Sequence, residues 1–197
     1  MPRTGRHNSG LTLVELLMAL AITGLIGAAL AAMLFAVAQG TSSRNDLRVM
    51  VVKEKVIEAR LDAAVRASKK ILAAGSNYVV LWMADGNNDS QVNVTELRRI
   101  EWNATAGTLS SYKSNLTPGA PSDTGYVLSS DFNSVTTTLK GTASFPSETW
   151  ATQITAWTFT LSNNSNPQQA TLVSYRGTLQ AQTLTTSLIG AVALRNP

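Results

Sequence analysis

Residues 16–38 read LLMALAITGLIGAALAAMLFAVA, an apolar run in which Thr23 is the one notable polar side chain. No other feature limits the fold as strongly. As a helix rising about 1.5 Å per residue, the run spans roughly 34 Å, enough to cross a bilayer core of about 30 Å. Arg3 and Arg6 precede it. The positive-inside tendency therefore puts the N-terminus in the cytoplasm and the rest of the chain across the membrane. A cleaved secretory signal usually has a shorter apolar region and a small-residue cleavage site. Here helical sequence continues past the apolar run.

Composition excludes several classes of function. Charged residues make up 14% of the chain and the net charge is +4. Without Arg3 and Arg6 the remainder holds 14 basic and 12 acidic residues, or +2. That balance does not indicate a nucleic-acid partner. There is no cysteine, so disulfides and thiolate metal sites are excluded. The single histidine, His7, lies ahead of the apolar run, which removes histidine triads and imidazole metal sites from the rest of the chain.

Glu15 stands at the very start of the apolar run. A carboxylate near hydrocarbon is costly unless it finds a partner or a shallow position. The string SGLTLVELLMALAITGLIGAAL resembles the class III signal of type IV prepilins and type II secretion pseudopilins. The resemblance implies cleavage by prepilin peptidase after Gly10, N-methylation of Leu11 as the first mature residue, and Glu15 at mature position five. Family members usually begin with phenylalanine, and Leu11 departs from that. Cleavage would create a cationic amine four residues from Glu15, and positions four apart are neighbours on a helix. The amine of an incoming subunit pairing with Glu15 of its neighbour would compensate the carboxylate and register assembly. The implied partners are other pilin or pseudopilin subunits, prepilin peptidase and the inner membrane, with the head in the periplasm or outside the cell.

Four segments follow: a leader at 1–10, a transmembrane and assembly helix at 11–39, an amphipathic helix at 40–74, and a β-rich head at 75–197. In the third, Met50, Ile57, Leu61, Ala64, Val65, Ser68, Ile71 and Leu72 recur at helical spacing, which predicts one buried face. Gly40 and the three hydroxyl residues after it suggest a bend. In the head, strands are expected at 78–83, 97–102, 108–112, 150–161, 169–182 and 184–194, with a loop-rich stretch at 113–148 and a hairpin loop at 162–168. A long helix packed on an antiparallel sheet is α+β. It is also the fold the resemblance implies, closest to minor pilins, among them the J-type pseudopilins and W-type minor pilins.

Residues 85–96 read DGNNDSQVNVTE. An EF-type calcium loop carries oxygen ligands at positions 1, 3, 5, 7, 9 and 12. Here those positions hold Asp85, Asn87, Asp89, Gln91, Asn93 and Glu96, and Val92 supplies the apolar position 8. Calcium takes six to eight oxygens, and three carboxylates that would otherwise repel one another become its ligands. Position 6, where glycine usually provides positive φ, is Ser90. The string also resembles a dockerin loop, but dockerins carry two. An Asx-rich connection between strands needs no metal and accounts for the same composition. Glu101, Asp123, Asp131 and Glu148 are scattered, and no nucleophile, base or phosphate loop is visible. The expected role is a non-enzymic minor pilin or pseudopilin stiffened by Ca2+. The alternative is a membrane-anchored, calcium-binding receptor or enzyme that joins no filament.

Overall fold

The computed structural model describes residues 12–181 and 184–195, without the side chains of residues 41–45. The fold is α+β. Helix α1 (Leu13–Arg66) leads into strands β1 (Lys70–Ala74), β2 (Tyr78–Trp82), β3 (Val92–Asn93), β4 (Leu97–Asn103), β5 (Thr108–Lys113) and β6 (Gly125–Tyr126). Helix α2 (Phe132–Leu139) follows, then β7 (Ser147–Ala151), β8 (Ile154–Leu161), β9 (Leu172–Ala181) and β10 (Leu184–Ala193). Helical backbone runs through residues 40–45 without interruption. The chain divides into two compact units, the first ending at Asn45 and the second starting at Asp46.

In the first unit the stretch Leu13–Gly40 is apolar and none of it is buried. Thr23 directs its hydroxyl back to the Ala19 carbonyl at 2.7 Å. Its polar group is thereby satisfied within the helix, as an apolar medium requires.

The second unit holds three antiparallel sheets, ordered β1-β2-β4-β5-β7, β10-β9-β8 and β3-β6. Alternation along β2 separates two cores. Val79 and Leu81 join Ile57, Leu61 and Val65 of α1 together with Trp157, Tyr175, Leu179 and Leu188 of the three-stranded sheet. Val80 and Trp82 point the other way, into a core with Val92, Leu97, Phe132 and Phe145. The five-stranded sheet is thus buried on both faces.

Every residue assigned to the amphipathic stripe is buried, but the helix is shorter than its periodicity suggests. It ends at Arg66 rather than near residue 74. Ser68 donates its hydroxyl to the Val65 carbonyl, and the Lys69 amide already donates to Trp82 O at 2.7 Å. Ile71 and Leu72 lie in β1 and enter different cores. Helical spacing reads such a pair as a wide stripe, whereas a strand sends the two to opposite faces.

Two other elements depart from expectation. Residues 150–161 do not form one strand: β7 ends at Ala151 in one sheet and β8 begins at Ile154 in another, with Gln153 between them at φ 65°. The loop-rich stretch 113–148 contains α2. Its cap is legible afterwards, since the Asp131 carboxylate accepts from the Asn133 and Ser134 amides. The β-branched residues of FNSVTTTL hid the helix.

A buried ionic clasp fastens α2 to β4. Arg99, 3% exposed, donates to Glu101 at 2.8 Å, to Asn133 Oδ1 at 3.0 Å and to the Thr136 hydroxyl at 2.9 Å. Its guanidinium stacks on Tyr78, and Lys140 donates to both Glu101 oxygens. Burial pushes the Glu101 carboxyl up, but the hydrogen bonds and charges of Arg99 and Lys140 outweigh it, so the net shift is below the usual 4.5. A depressed folded-state pKa contributes stability above the unfolded value and loses it as pH falls through the folded one. Thermal midpoints should therefore drop as pH falls below about 4.5. Glu101→Gln should cost about 1–3 kcal/mol at neutral pH and flatten that acid limb. Melts of both proteins across this range check it.

Candidate functional site

The first candidate site is the start of α1. Gly10 and Leu11, the expected cleavage pair, lie outside the described residues. Glu15 is described, and it closes a reciprocal cap. Its Oε2 accepts from the Thr12 amide at 2.9 Å and the Thr12 hydroxyl at 3.0 Å, while the Glu15 amide donates back to that hydroxyl at 3.3 Å. This is a capping box, T-x-x-E, at the first turn of the helix. The sequence carried that signature in TLVE, although Glu15 was read only as an assembly charge. The cap fixes the carboxylate at the helix start, where the N-terminal end of the dipole favours a negative charge.

The second candidate site is the acidic loop, which connects β2 to β4 and places Val92 and Asn93 in β3, paired with Tyr126 and Gly125 of β6. Two of its residues have positive φ. Asn88 and Ser90 lie at φ 57° and 60°, so Ser90 adopts the left-handed conformation usual for glycine at position 6. Val92 is fully buried, as position 8 requires.

The ligands are less concerted. Asn87, Asp89, Gln91 and Asn93 do come together. Asp89 accepts from the Gln91 amide at 2.7 Å, from the Asn87 side chain at 2.8 Å and from Asn93 Nδ2 at 3.4 Å. The bond from the Gln91 amide is the main reason the Asp89 carboxyl lies below its usual value. Asp85 turns instead to Lys69, at 3.2 Å. Lys69 is outside the loop in sequence and also sits 4.1 Å above the Trp82 ring. The absence of basic residues within 85–96 had concealed this partner. Glu96 is buried, with Oε2 accepting from Trp82 Nε1 at 2.9 Å and the Asn93 amide at 3.2 Å, and Oε1 accepting from the Gly86 amide at 2.6 Å. Among the described residues no three Asp, Glu, His or Cys side chains are grouped to hold a metal ion. The expected convergence of Asp85, Asp89 and Glu96 is therefore not present: each carboxylate has a different partner.

Asp123 was read as a scattered carboxylate. It is a brace for the same region, accepting from the Thr95 amide and hydroxyl, each at 2.9 Å, and from the Gly119 amide at 3.1 Å. A cavity of about 350 Å³ lies between the acidic loop and the 118–123 segment, with Met83, Glu96, Pro118 and Asp123 in its wall. Asp85 does not line it.

Residues 5–31 match the prokaryotic N-terminal methylation motif. This type IV pilin-like motif implies processing by prepilin peptidase and assembly with other pilins. The apolar helix that overlaps it, Leu13–Gly40, fits single-pass membrane anchoring. No curated protein and no solved structure matches the chain.

The geometry makes Glu96 the keystone of the acidic loop. Glu96→Ala would leave a buried indole N–H and two amides without their acceptor, and should cost about 2–4 kcal/mol in urea unfolding. Asp89→Ala, at an exposed position, should cost less than about 1.5 kcal/mol. Equal losses would contradict the assignment.

Proposed function

We propose that the chain is a minor pilin or pseudopilin, a non-enzymic subunit of a type IV pilus or type II secretion filament. The observation that carries this reading is the coincidence of the methylation motif at residues 5–31 with a helix whose apolar stretch, Leu13–Gly40, is entirely unburied. A helix this apolar needs lipid or like helices around it. After cleavage at Gly10 the Leu11 amine and Glu15 are the charged groups at the helix start. Glu15 of one subunit, held by Thr12, then accepts the amine of the next.

The alternative, a membrane-anchored receptor or enzyme outside any filament, makes a different prediction. Gly10→Ala should block both cleavage and incorporation. Glu15→Ala should leave cleavage intact while filament incorporation falls, by about tenfold or more if the ion pair forms in a lipid-like setting. Mass spectrometry of the membrane and sheared-filament fractions reads both. A Gly10→Ala protein that functions uncleaved in the membrane would favour the receptor or enzyme.

For the acidic loop, the bonds Glu96 accepts from Trp82, Gly86 and Asn93 support a self-satisfied connection as the first reading. Calcium binding is the second, and two observations favour it. Asp85 Oδ1 is buried without a partner, although Oδ2 faces Lys69. Ser90 already adopts the conformation that position 6 of a calcium loop requires. Asp85, Asn87, Asp89, Asn93 and Glu96 side chains and the Gln91 carbonyl would supply the hard oxygens, and calcium would supply the charge that draws the carboxylates together. Asp85 would have to leave Lys69. If calcium binds, 1 mM Ca2+ against EGTA should raise the thermal midpoint by several degrees, and Asp85→Asn should abolish the difference. An unchanged midpoint leaves the metal-free connection.

A further inference from the structure

The two larger sheets have four edges, at β1, β7, β8 and β10. An open edge presents unpaired amides and carbonyls to any extended chain, and soluble proteins blunt such edges with charges, bulges, short strands or covering segments. Three of the four are blunted here. β1 carries Lys70 and a register shift between Ile71 and Ala73. β7 is five residues long, carries Glu148 and has a register shift opposite Leu109 and Ser110. β8 has a register shift between Ile154 and Ala156, and two of its outward amides are taken. Phe159 N donates to Ser76 O at 2.8 Å, and Leu161 N donates to the Asn164 side chain at 2.9 Å.

Among the described residues β10 has none of these devices. It pairs with β9 over ten residues, from Leu184 opposite Ala181 to Ala193 opposite Leu172, without a bulge. Its sequence, LTTSLIGAVA, has no charge and no proline. The main-chain bond beyond its end, Leu194 N to Thr171 O, continues the β9 side of the ladder. Near its middle stands Ile189, 68% exposed. Among the described strands it is the only large hydrophobic residue so exposed. A long, neutral, flat edge with an exposed β-branched residue is suited to accept a strand, and Ile189 would gain a cross-strand neighbour by doing so.

We infer that β10 is an assembly edge that takes an extended, uncharged strand from a neighbouring filament subunit of different sequence. The inference rests on the filament reading above. A second copy of this chain is a poor occupant for two reasons. Its β1, β7 and β8 edges are blunted. Pairing its β10 antiparallel with this one would relate the copies by a two-fold axis normal to the sheet. That isologous pairing closes as a dimer and leaves no β10 edge to continue a filament.

The chain has no cysteine, so single cysteines can be labelled cleanly. Ser187→Cys, Ile189→Cys and Ala191→Cys, with Arg176→Cys on β9 as control, are expressed in the native host as full chains, coupled to benzophenone-maleimide and photolysed. Peptide mass spectrometry identifies the adducts. The inference expects the three β10 positions to join one strand of another subunit, at alternate residues along it, and Arg176→Cys to give about tenfold less. Ile189→Lys should lower the adduct from Ala191→Cys by about tenfold without changing the thermal midpoint of the isolated protein. Adducts to a second copy, or yields equal to the control, would overturn the inference. The N-terminus is read on the same samples. A processed Leu11 without β10 adducts refutes the edge alone, whereas an unprocessed Met1 removes the filament reading and the edge with it.

Discussion

The chain depends first on the mismatch between its N-terminal helix and water. The stretch Leu13–Gly40 exposes Leu16, Leu17, Met18, Leu20, Ile22, Leu25 and further large apolar side chains, with no part of it buried. At about 25 cal/mol per Å² of apolar surface, leaving so much in water is a large penalty. In the proposed reading, lipid relieves it before assembly and neighbouring helices relieve it afterwards. Glu15 is the exception within that surface, and its bonds to Thr12 hold the carboxylate at the helix start rather than deeper in the apolar run.

The second unit solves a separate problem, covering a sheet that is apolar on both faces. The 46–66 part of α1 and the three-stranded sheet cover one face; α2, β3 and the loops around Phe145 cover the other. Covering the second face requires tying down short, polar, weakly helical segments. The Arg99–Glu101–Lys140 clasp does this for α2, and the Glu96 and Asp123 carboxylates do it for the β2–β4 and 118–123 loops. Much of the acidic character that looked like chemistry is used as hydrogen-bond acceptors for amides that lie outside the sheets.

Legibility in the sequence followed the range of the interactions. The apolar run, the stripe from Met50 to Leu72, strands β2, β4, β5, β9 and β10 and the N-terminal motif all rest on local periodicity or short spacing, and they could be read directly. Elements set by distant partners could not. Lys69 reaches Asp85 across sixteen positions, Asp123 reaches Thr95 across twenty-eight, and Arg99 reaches Thr136 across thirty-seven. The Lys69 side chain drew Asp85 away from the other loop residues, and the Lys69 amide, bonded to Trp82 O, ended α1 at Arg66. Two missed features had local signatures, the Thr12–Glu15 capping box and the Asp131 cap of α2. Stronger patterns nearby overshadowed both.

The central claim is that this chain matures at Gly10 and enters an assembly through a methylated Leu11 and Glu15. Mass spectrometry of the N-terminal peptide from the native, membrane-extracted protein tests it most directly. The account predicts a peptide that begins at Leu11 and carries one added methyl group on its amine. A peptide that begins at Met1, or one cut beyond the apolar run, would contradict it.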